Sequence, residues 1–369
     1  MRLKTILGVL LCSVLLLSSC KDDINITRSG TETAVVYGLL NASENTHYIK
    51  INKAFISDGN SLEIAKIPDS NYFSNVVAKV SEYKNNALLR SWTLYDTIIE
   101  NKEQGIFYYP YQKVYKFTTT SAAPLRTDCI YHLDIDINNG AFSVHSETEL
   151  IKDIKIVAPS QNGSYIFATS NIAQYGYGQP TVSAEKGTAA FGALRLFITF
   201  EEFRGTNVTE KSFIWNVAEV SADETASKSK IEARASGQIF YEKMKENVTN
   251  DPTITKRRLK SITFEATGGS KDLADYIALN KPSSSIAQNK PIYSNLTATN
   301  GRKAIGIFSS RGTARQEKQR WSNFGSAFLK AIDMNSMKEL YEGGITGGLL
   351  FCDDNPEYSV PTPKNWYCP

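Results

Sequence analysis

A regular alternation of apolar and polar residues over residues 131–147 constrains the fold more than any other stretch. Tyr131, Leu133 and Ile135 alternate with polar residues, and the same spacing resumes after Asn138-Asn139-Gly140. Residues that alternate at period two point to one face of a β-strand. An Asn-Gly turn joins such strands because both residues tolerate positive φ. This stretch therefore predicts a hairpin with one buried face, which needs a second layer to cover it.

Four further strand patterns precede this hairpin. They are the apolar run 34–40 and the alternating runs 48–55, 76–83 and 113–117. The composition agrees, because 19 Tyr against 4 Met favours strands over helical bundles. Short strands separated by turn residues are typical of a β-sandwich. We therefore expect residues 34–155 to form an immunoglobulin-like β-sandwich domain.

The second half of the chain mixes strand and helix patterns. Residues 158–190 are rich in small polar residues and predict a linker with long loops. Together with the strand and helix patterns that follow them up to residue 350, these residues predict a β-rich α+β domain over 156–350 with two or three short helices. The helical patterns cover 239–248, 271–280 and 337–342, with Ser270 and Ser336 as N-caps of the last two.

Residues 1–19 have the pattern of a lipoprotein signal peptide. Two basic residues precede the apolar run 6–17, which is shorter than the roughly twenty residues that cross a bilayer. The run ends in Leu17-Ser18-Ser19-Cys20, which resembles a bacterial lipobox. Cys20 is therefore expected to carry the lipid and to become the mature N-terminus, anchored durably by several acyl chains.

The residues that follow the expected lipidation site are polar. Lys21, Asp22 and Asp23 resemble the export signal that sends lipoproteins of Bacteroidota to the outer face of the outer membrane. Residues 20–33 as a whole predict a flexible tether. We expect a protein that contacts the outer membrane through its lipid anchor and is exposed at the cell surface.

The three remaining cysteines outside the signal peptide and the lipidation site suggest one disulfide bond. Cys352 and Cys368 flank a Pro-rich tail over 351–369 that cannot form a helix, and a bond between them would hold this tail in place. Cys129 precedes a strand pattern and is expected to be a buried thiol. The chain has no CxxC pair, and no His lies near Cys352 and Cys368, so we predict no zinc site.

Sequence motifs of catalytic, nucleotide and metal sites are not found. The chain has no P-loop, no HExxH and no GxSxG, and only three His. The net charge of +3 from 41 basic and 38 acidic residues gives no field that favours nucleic acid. We therefore predict no cofactor, no metal, no nucleic-acid partner and no clear enzymatic activity.

Several side chains are nevertheless candidates for binding or catalysis. Trp321 and Trp366 lie in irregular segments and are candidates for stacking on sugars. The acidic pairs 147/149 and 201/202 could supply the two carboxylates of a glycosidase, which lie about 5 to 10 Å apart, or could simply be solvated. The basic run 256–260 could meet an anionic envelope component, or could be a charged loop that leads into a strand.

Three stretches resemble uncharacterised outer-membrane lipoproteins of Bacteroidota, some of them encoded near TonB-dependent transporters. These are Val36-Tyr37-Gly38-Leu39-Leu40, the run 48–55, and Pro291-Ile292-Tyr293-Ser294-Asn295 followed by Gly306-Ile307-Phe308-Ser309-Ser310-Arg311. The resemblance implies a surface or periplasmic lipoprotein with an immunoglobulin-like N-terminal half. It implies no reaction.

The sequence thus predicts a non-enzymatic binding or envelope-assembly protein, for which a TonB-dependent transporter or another envelope protein is a candidate partner. One alternative is a fimbrillin-like adhesin or pilus subunit, which needs proteolytic removal of a leader, for which Arg28 offers a cleavage site. A second alternative is a glycan-active enzyme that depends on Glu147 or Glu201.

Overall fold

The computed structural model describes residues 32–54, 61–105, 107–171, 174–280, 293–324 and 327–368. The described chain is mainly β with short helices, which confirms the fold class expected from the sequence. The strands are β1 Thr33–Leu40, β2 Thr46–Ala54, β3 Val76–Lys84, β4 Ala87–Thr93, β5 Tyr95–Glu100, β6 Tyr111–Thr118, β7 Ile130–Ile137, β8 Phe142–Glu149, β9 Lys155–Ala158, β10 Ala168–Asn171, β11 Gln174–Tyr177, β12 Thr181–Glu185, β13 Phe191–Arg204, β14 Asn207–Val220, β15 Lys230–Arg234, β16 Lys256–Gly269, β17 Thr297–Ala298, β18 Lys303–Gln319, β19 Trp321–Phe324 and β20 Ala327–Lys330. The helices are α1 Ser61–Ala65, α2 Ala222–Thr225, α3 Gly237–Asn247, α4 Lys271–Asn280 and α5 Met334–Glu342.

Two facing sheets form a β-sandwich that contains the strands β1 to β8 of the first half, and strands of the second half extend both sheets. The larger sheet has the order β14-β13-β16-β18-β1-β2-β6-β5, and a five-stranded sheet has the order β17-β8-β7-β3-β4. Inward residues of β1, β2 and β6 share one hydrophobic core with those of β3, β7 and β8. This arrangement of two facing sheets is compatible with an immunoglobulin-like fold. The core includes Val36, Ile49, Phe117, Val80, Leu133, Ile135 and Val144.

The predicted hairpin is formed by β7 and β8. Asn138 and Asn139 have φ of 52° and 57°, as a turn with two left-handed residues requires, and Gly140 follows with φ of 83°. Asp136 Oδ1 accepts a hydrogen bond from the backbone N–H of Gly140 at 2.9 Å, and Asp134 Oδ1 lies 2.7 Å from His145 Nδ1. These acidic side chains therefore stabilise the turn and the strand pair.

Strand β18 belongs to both halves of the molecule. Its residues 303–310 pair in parallel with β1, and its residues 311–319 pair antiparallel with β16. The short strand β17 pairs with β8 of the sandwich, although both β17 and β18 come from the range 156–350. Three neighbouring strands therefore carry most of the family resemblance. The run 36–40 lies on β1, the run that starts at residue 48 lies on β2, and the run that starts at Gly306 lies on β18.

Gly306 makes the close approach of β18 to β1 feasible. Its φ is +113°, and a Cβ atom at this position would lie 2.0 Å from the carbonyl oxygen of Val36. Only a residue without a side chain fits both the backbone conformation and the contact. This glycine therefore has a structural reason to occupy its place in the sequence.

The second half packs helices against the long strands β13, β14 and β16. Phe240 and Met244 of α3 and Leu340 of α5 are fully buried in one core with Phe264 of β16. The strands β10, β11 and β12 fall in the range 158–190, for which the sequence predicted a linker with long loops, and this prediction is wrong. Tyr165 lies in the same core, where its ring stacks with that of Phe167 at a centroid distance of 5.5 Å.

The helices agree closely with the sequence patterns. Helix α4 has the predicted bounds, and the hydroxyl of Ser270 accepts from the backbone N–H of Leu273 at 3.1 Å, as an N-cap does. Helix α5 begins three residues earlier than predicted, because its N-cap is Asp333 rather than Ser336. Helix α2 is an additional single turn with Ser221 as its N-cap, and it was not among the helices predicted from the sequence.

Candidate functional site

The residues predicted to direct export lie outside the described part of the chain. Cys20, Lys21, Asp22 and Asp23 precede the first described residue, as does the whole predicted signal peptide. Lipidation at Cys20 therefore stays a prediction. Within the described ranges, none of the helices has the length and hydrophobicity needed to cross a membrane.

A disulfide bond closes the tail after residue 350 into a loop. Cys352 and Cys368 are bonded, with their Cα atoms 5.7 Å apart. The backbone of Asp353 also joins the two ends of the tail. Its N–H donates to Trp366 O at 2.9 Å, and its carbonyl oxygen accepts from Cys368 N at 2.9 Å. The Pro-rich tail is thus an ordered part of the molecule.

The third cysteine, Cys129, is a buried free thiol, and burial raises its pKa.

The basic run 256–260 contributes to this docking of the tail. Arg258 Nη1 lies 3.0 Å from Asp354 Oδ2, and Arg258 Nη2 donates to Cys368 O at 2.7 Å. Arg320 Nη2 donates to Asp354 Oδ2 at 3.1 Å. Two guanidinium groups therefore hold one carboxylate of the tail. This internal use explains the charge of the run without an external anion.

Arg257 points into the core from the same strand. Its Nε donates to Glu202 Oε1 at 2.9 Å, and both side chains are at most 4% exposed. Its other two nitrogens donate to Leu349 O and Thr249 O, each at 2.8 Å. A buried charge needs such a full set of partners. Glu202 is therefore a structural residue that neutralises Arg257.

The two tryptophans proposed for sugar stacking differ in the structure. Trp366 is only 7% exposed, and its ring packs edge to face on Tyr358 at 6.0 Å. This burial leaves no open ring face, so Trp366 cannot serve as a stacking surface. Trp321 is partly exposed and its indole N–H donates to Asp354 Oδ1 at 2.7 Å. A stacking role of Trp321 stays a prediction.

The candidate catalytic acids are engaged with basic side chains. Glu147 Oε2 lies 3.6 Å from His132 Nε2 on the surface of β7 and β8. Glu201 Oε2 accepts from Arg320 Nη1 at 3.4 Å. The described residues contain no group of three His, Cys, Asp or Glu side chains that could hold a metal ion. Of the two predicted acidic pairs, 147/149 lies on β8, whereas in 201/202 the carboxylate of Glu202 is buried against Arg257.

A groove on the outer face of the sandwich is the feature best suited to binding. In β2, Ile49 and Ile51 point into the core, so Tyr48 and Lys50 point to solvent. Tyr37 of β1 is the register partner of Lys50. The groove has a volume of about 420 Å³. We call it the tyrosine groove; it is lined by Tyr37, Tyr48, Lys50, Ile99, Glu100, Asn101, Gln112 and Val114.

The hydrogen bonds at the tyrosine groove leave some polar atoms without partners. Gln112 Nε2 donates to Asn101 Oδ1 at 2.6 Å, and the other amide atoms of this pair have no hydrogen bond within the described ranges. The hydroxyl of Tyr276 in α4 donates to that of Tyr37 at 3.3 Å, and burial raises the pKa of Tyr37 to about 12. Tyr37 is thereby fixed as one wall of the groove.

Lys50 in the tyrosine groove has a second lysine, Lys102, near it. Burial lowers the pKa of Lys50, and no carboxylate of the described chain forms an ion pair with it. Burial and the charge of Lys50 both lower the pKa of Lys102, whose Nζ donates to Tyr108 O at 2.6 Å. Glu100 is an acid that lines the groove, but within the described ranges it forms no ion pair with Lys50, so the charge of Lys50 favours an anionic ligand.

The tyrosine groove was not predicted from the sequence, which pointed to two tryptophans as the candidate stacking residues. The signal was present in Tyr48-Ile49-Lys50-Ile51, whose outward positions carry an aromatic ring and a cation where a solvated strand usually has small polar residues. The partners on β5 and β6 could not be found in this way, because only the strand order brings residues 99–101 and 112–114 next to β2.

Comparisons with known proteins do not assign the chain to a family. No protein-family model and no curated protein sequence matches it. Among solved structures, it is similar to the C-terminal globular domain of an oligosaccharyltransferase from Pyrococcus abyssi, with a TM-score of 0.18 and 9% identity over 58% of this chain. The chain spans 43% of that structure, which is less than half of its length. A similarity at this level carries no argument about fold or function.

Proposed function

We propose that this protein is a non-enzymatic binding lipoprotein, anchored in the outer membrane through Cys20 and exposed at the cell surface. The observation that supports a binding role is the tyrosine groove. Tyr37 and Tyr48 are 37% and 44% exposed on one sheet face, and Lys50, the register partner of Tyr37, lies on the same face. Tyrosine is enriched where proteins recognise ligands, because its large ring has few rotatable bonds and carries a hydroxyl.

The anchor and the location can be tested in cells. The full chain and a Cys20→Ser variant are labelled metabolically with a radioactive fatty acid, and intact cells are treated with a protease. We expect label on the wild-type chain alone, and cleavage of the wild-type chain on intact cells. Label on both chains would contradict lipidation at Cys20, and protection from the protease would contradict surface exposure.

The binding role can be tested by capture from native outer membranes. Tagged wild-type protein is compared with a Tyr48→Ala variant, and the bound material is identified by mass spectrometry and carbohydrate analysis. We expect an envelope component, such as a TonB-dependent transporter or a surface glycan, that the variant loses. Recovery of the protein alone in detergent-resistant ladders would instead indicate the fimbrillin-like subunit. Turnover of a glycan that is lost in Glu147→Gln or Glu201→Gln would indicate the enzyme.

A further inference from the structure

Tyr48 offers a ring that other parts of the molecule do not use. The exposed Tyr95 on β5 already carries the Lys116 ammonium over its ring at 5.3 Å, and Tyr37 packs edge to face on Tyr276 at 6.0 Å. Tyr48 forms no ring contact, cation contact or hydrogen bond within the described ranges, and it is 44% exposed. A flat apolar ring that borders a groove can stack on another ring of similar size.

Lys50 adds a charge at a fixed distance from this ring. It lies two residues from Tyr48 on the same face of β2, so the two side chains are about 7 Å apart along the strand. Lys50 lines the groove together with Tyr37 and Val114 and is half-buried there, and the loss of solvent lowers its pKa. A half-buried cation without an anionic partner is stabilised when a ligand supplies one.

The far wall of the groove supplies groups that bind hydroxyls. The unused amide atoms of Asn101 and Gln112 include both donors and acceptors, and the carboxylate of Glu100 is an acceptor. A ligand that satisfies all three features has a ring face, several hydroxyl groups and one carboxylate. A volume of about 420 Å³ suits a ligand of one or two rings rather than a folded partner.

We propose that the tyrosine groove binds a carboxylated saccharide, with a sugar ring stacked on Tyr48, the carboxylate at Lys50, and hydroxyl groups at Asn101 and Gln112. This inference rests on the proposed binding function and names its ligand class. The polar wall distinguishes a saccharide from an aromatic acid, which would leave these amide groups without partners.

The test uses the full chain in detergent and an array of carboxylated mono- and disaccharides, each beside its methyl ester. The best binder and its ester are then measured by isothermal titration calorimetry at low salt. We expect the ester to bind at least about 10-fold more weakly, because it loses the charge-assisted hydrogen bond at Lys50. The Lys50→Met variant is expected to lose a similar factor and to bind the acid and the ester equally.

Matched variants separate the ring from the charge. Lys79→Met removes an exposed lysine from β3 in the other sheet and should leave the affinity unchanged. Tyr48→Ala should reduce it at least about 10-fold, whereas Tyr48→Phe, which keeps the ring, should stay within about 3-fold. The three positions 48, 50 and 79 point to solvent, so circular dichroism should show the same folded state in all four variants.

Two results would overturn the inference. One is that no acid on the array binds more tightly than its ester. The other is that sodium acetate competes as strongly as the saccharide, which would show an anion site without sugar recognition. If either result occurs while Tyr48→Ala still loses the envelope component in the capture experiment, the ligand class is wrong and the binding function stands. If capture is also unchanged, both proposals fail.

Discussion

Replacement of Glu202 with Gln tests how the second half of the chain is held together. The change keeps the size of the side chain and removes its charge. Arg257 would then stay buried, with its hydrogen bonds to Leu349 O and Thr249 O but without a counter-charge. Loss of one partner from a buried ion pair costs about 3–5 kcal/mol of unfolding free energy, and these two remaining bonds place the expected loss near 3 kcal/mol.

The neighbouring residue provides the control. Glu201 lies on the opposite face of β13, where its carboxylate is 23% exposed and 3.4 Å from Arg320. Because water screens this pair, Glu201→Gln is expected to cost less than about 1 kcal/mol. The two variants therefore differ by a single position in the sequence and by a factor of about three in the predicted loss.

Urea unfolding followed by tryptophan fluorescence measures both values. Trp215 lies in the same core and reports on this half of the molecule. With a slope of about 3 kcal/mol per molar urea, Glu202→Gln should lower the midpoint by about 1 M. Equal midpoints for the two variants would refute the view that Glu202 neutralises a buried Arg257.

Three further predictions concern the sandwich and the tail. His47 is 1% exposed and burial lowers its pKa to about 4, so below pH 6.5 the unfolded chain binds a proton that the folded chain does not. The free energy of unfolding should therefore fall by about 3 kcal/mol as the pH drops from 6.5 to 4. In thermal scans, His47→Gln should remove this pH dependence. Replacement of both Cys352 and Cys368 with Ser should cost about 3 kcal/mol, measured in urea, because the bond closes a loop of 16 residues. Asp354→Asn should speed tryptic cleavage within the tail, because two arginines lose their charged partner; an unchanged cleavage rate would show that the disulfide alone holds the tail.

The strand pattern of the first half could be predicted from the sequence because local rules decide it. Each strand buries one face, so alternation specifies the strand, and Asn138 with Asn139 specifies the turn. Helix α4 could be predicted for the same reason, since Ser270 caps its first turn. These features depend on neighbours along the chain, which a sequence shows directly.

The remaining features depend on contacts between distant residues. Nothing in the local sequence of β18 shows that its first eight residues pair with β1 of the sandwich. The polar composition of 158–190 concealed Tyr165 and Phe167, which become core residues because α3 and α5 cover them. The tyrosine groove has the same origin, since Asn101 and Gln112 reach it only through the pairing of β5, β6 and β2.

The tyrosine groove is the surface that we propose holds a ligand in the native envelope. A membrane-impermeant reagent that labels lysines on intact cells tests this proposal. The amount of label on Lys50 is divided by the amount on Lys79, and this ratio is compared with the ratio for the purified full chain. A bound ligand covers Lys50 and leaves Lys79 exposed, so we predict a lower ratio on cells and recovery after purification. An equal ratio in both samples would show that the groove is empty in the envelope and would contradict this account.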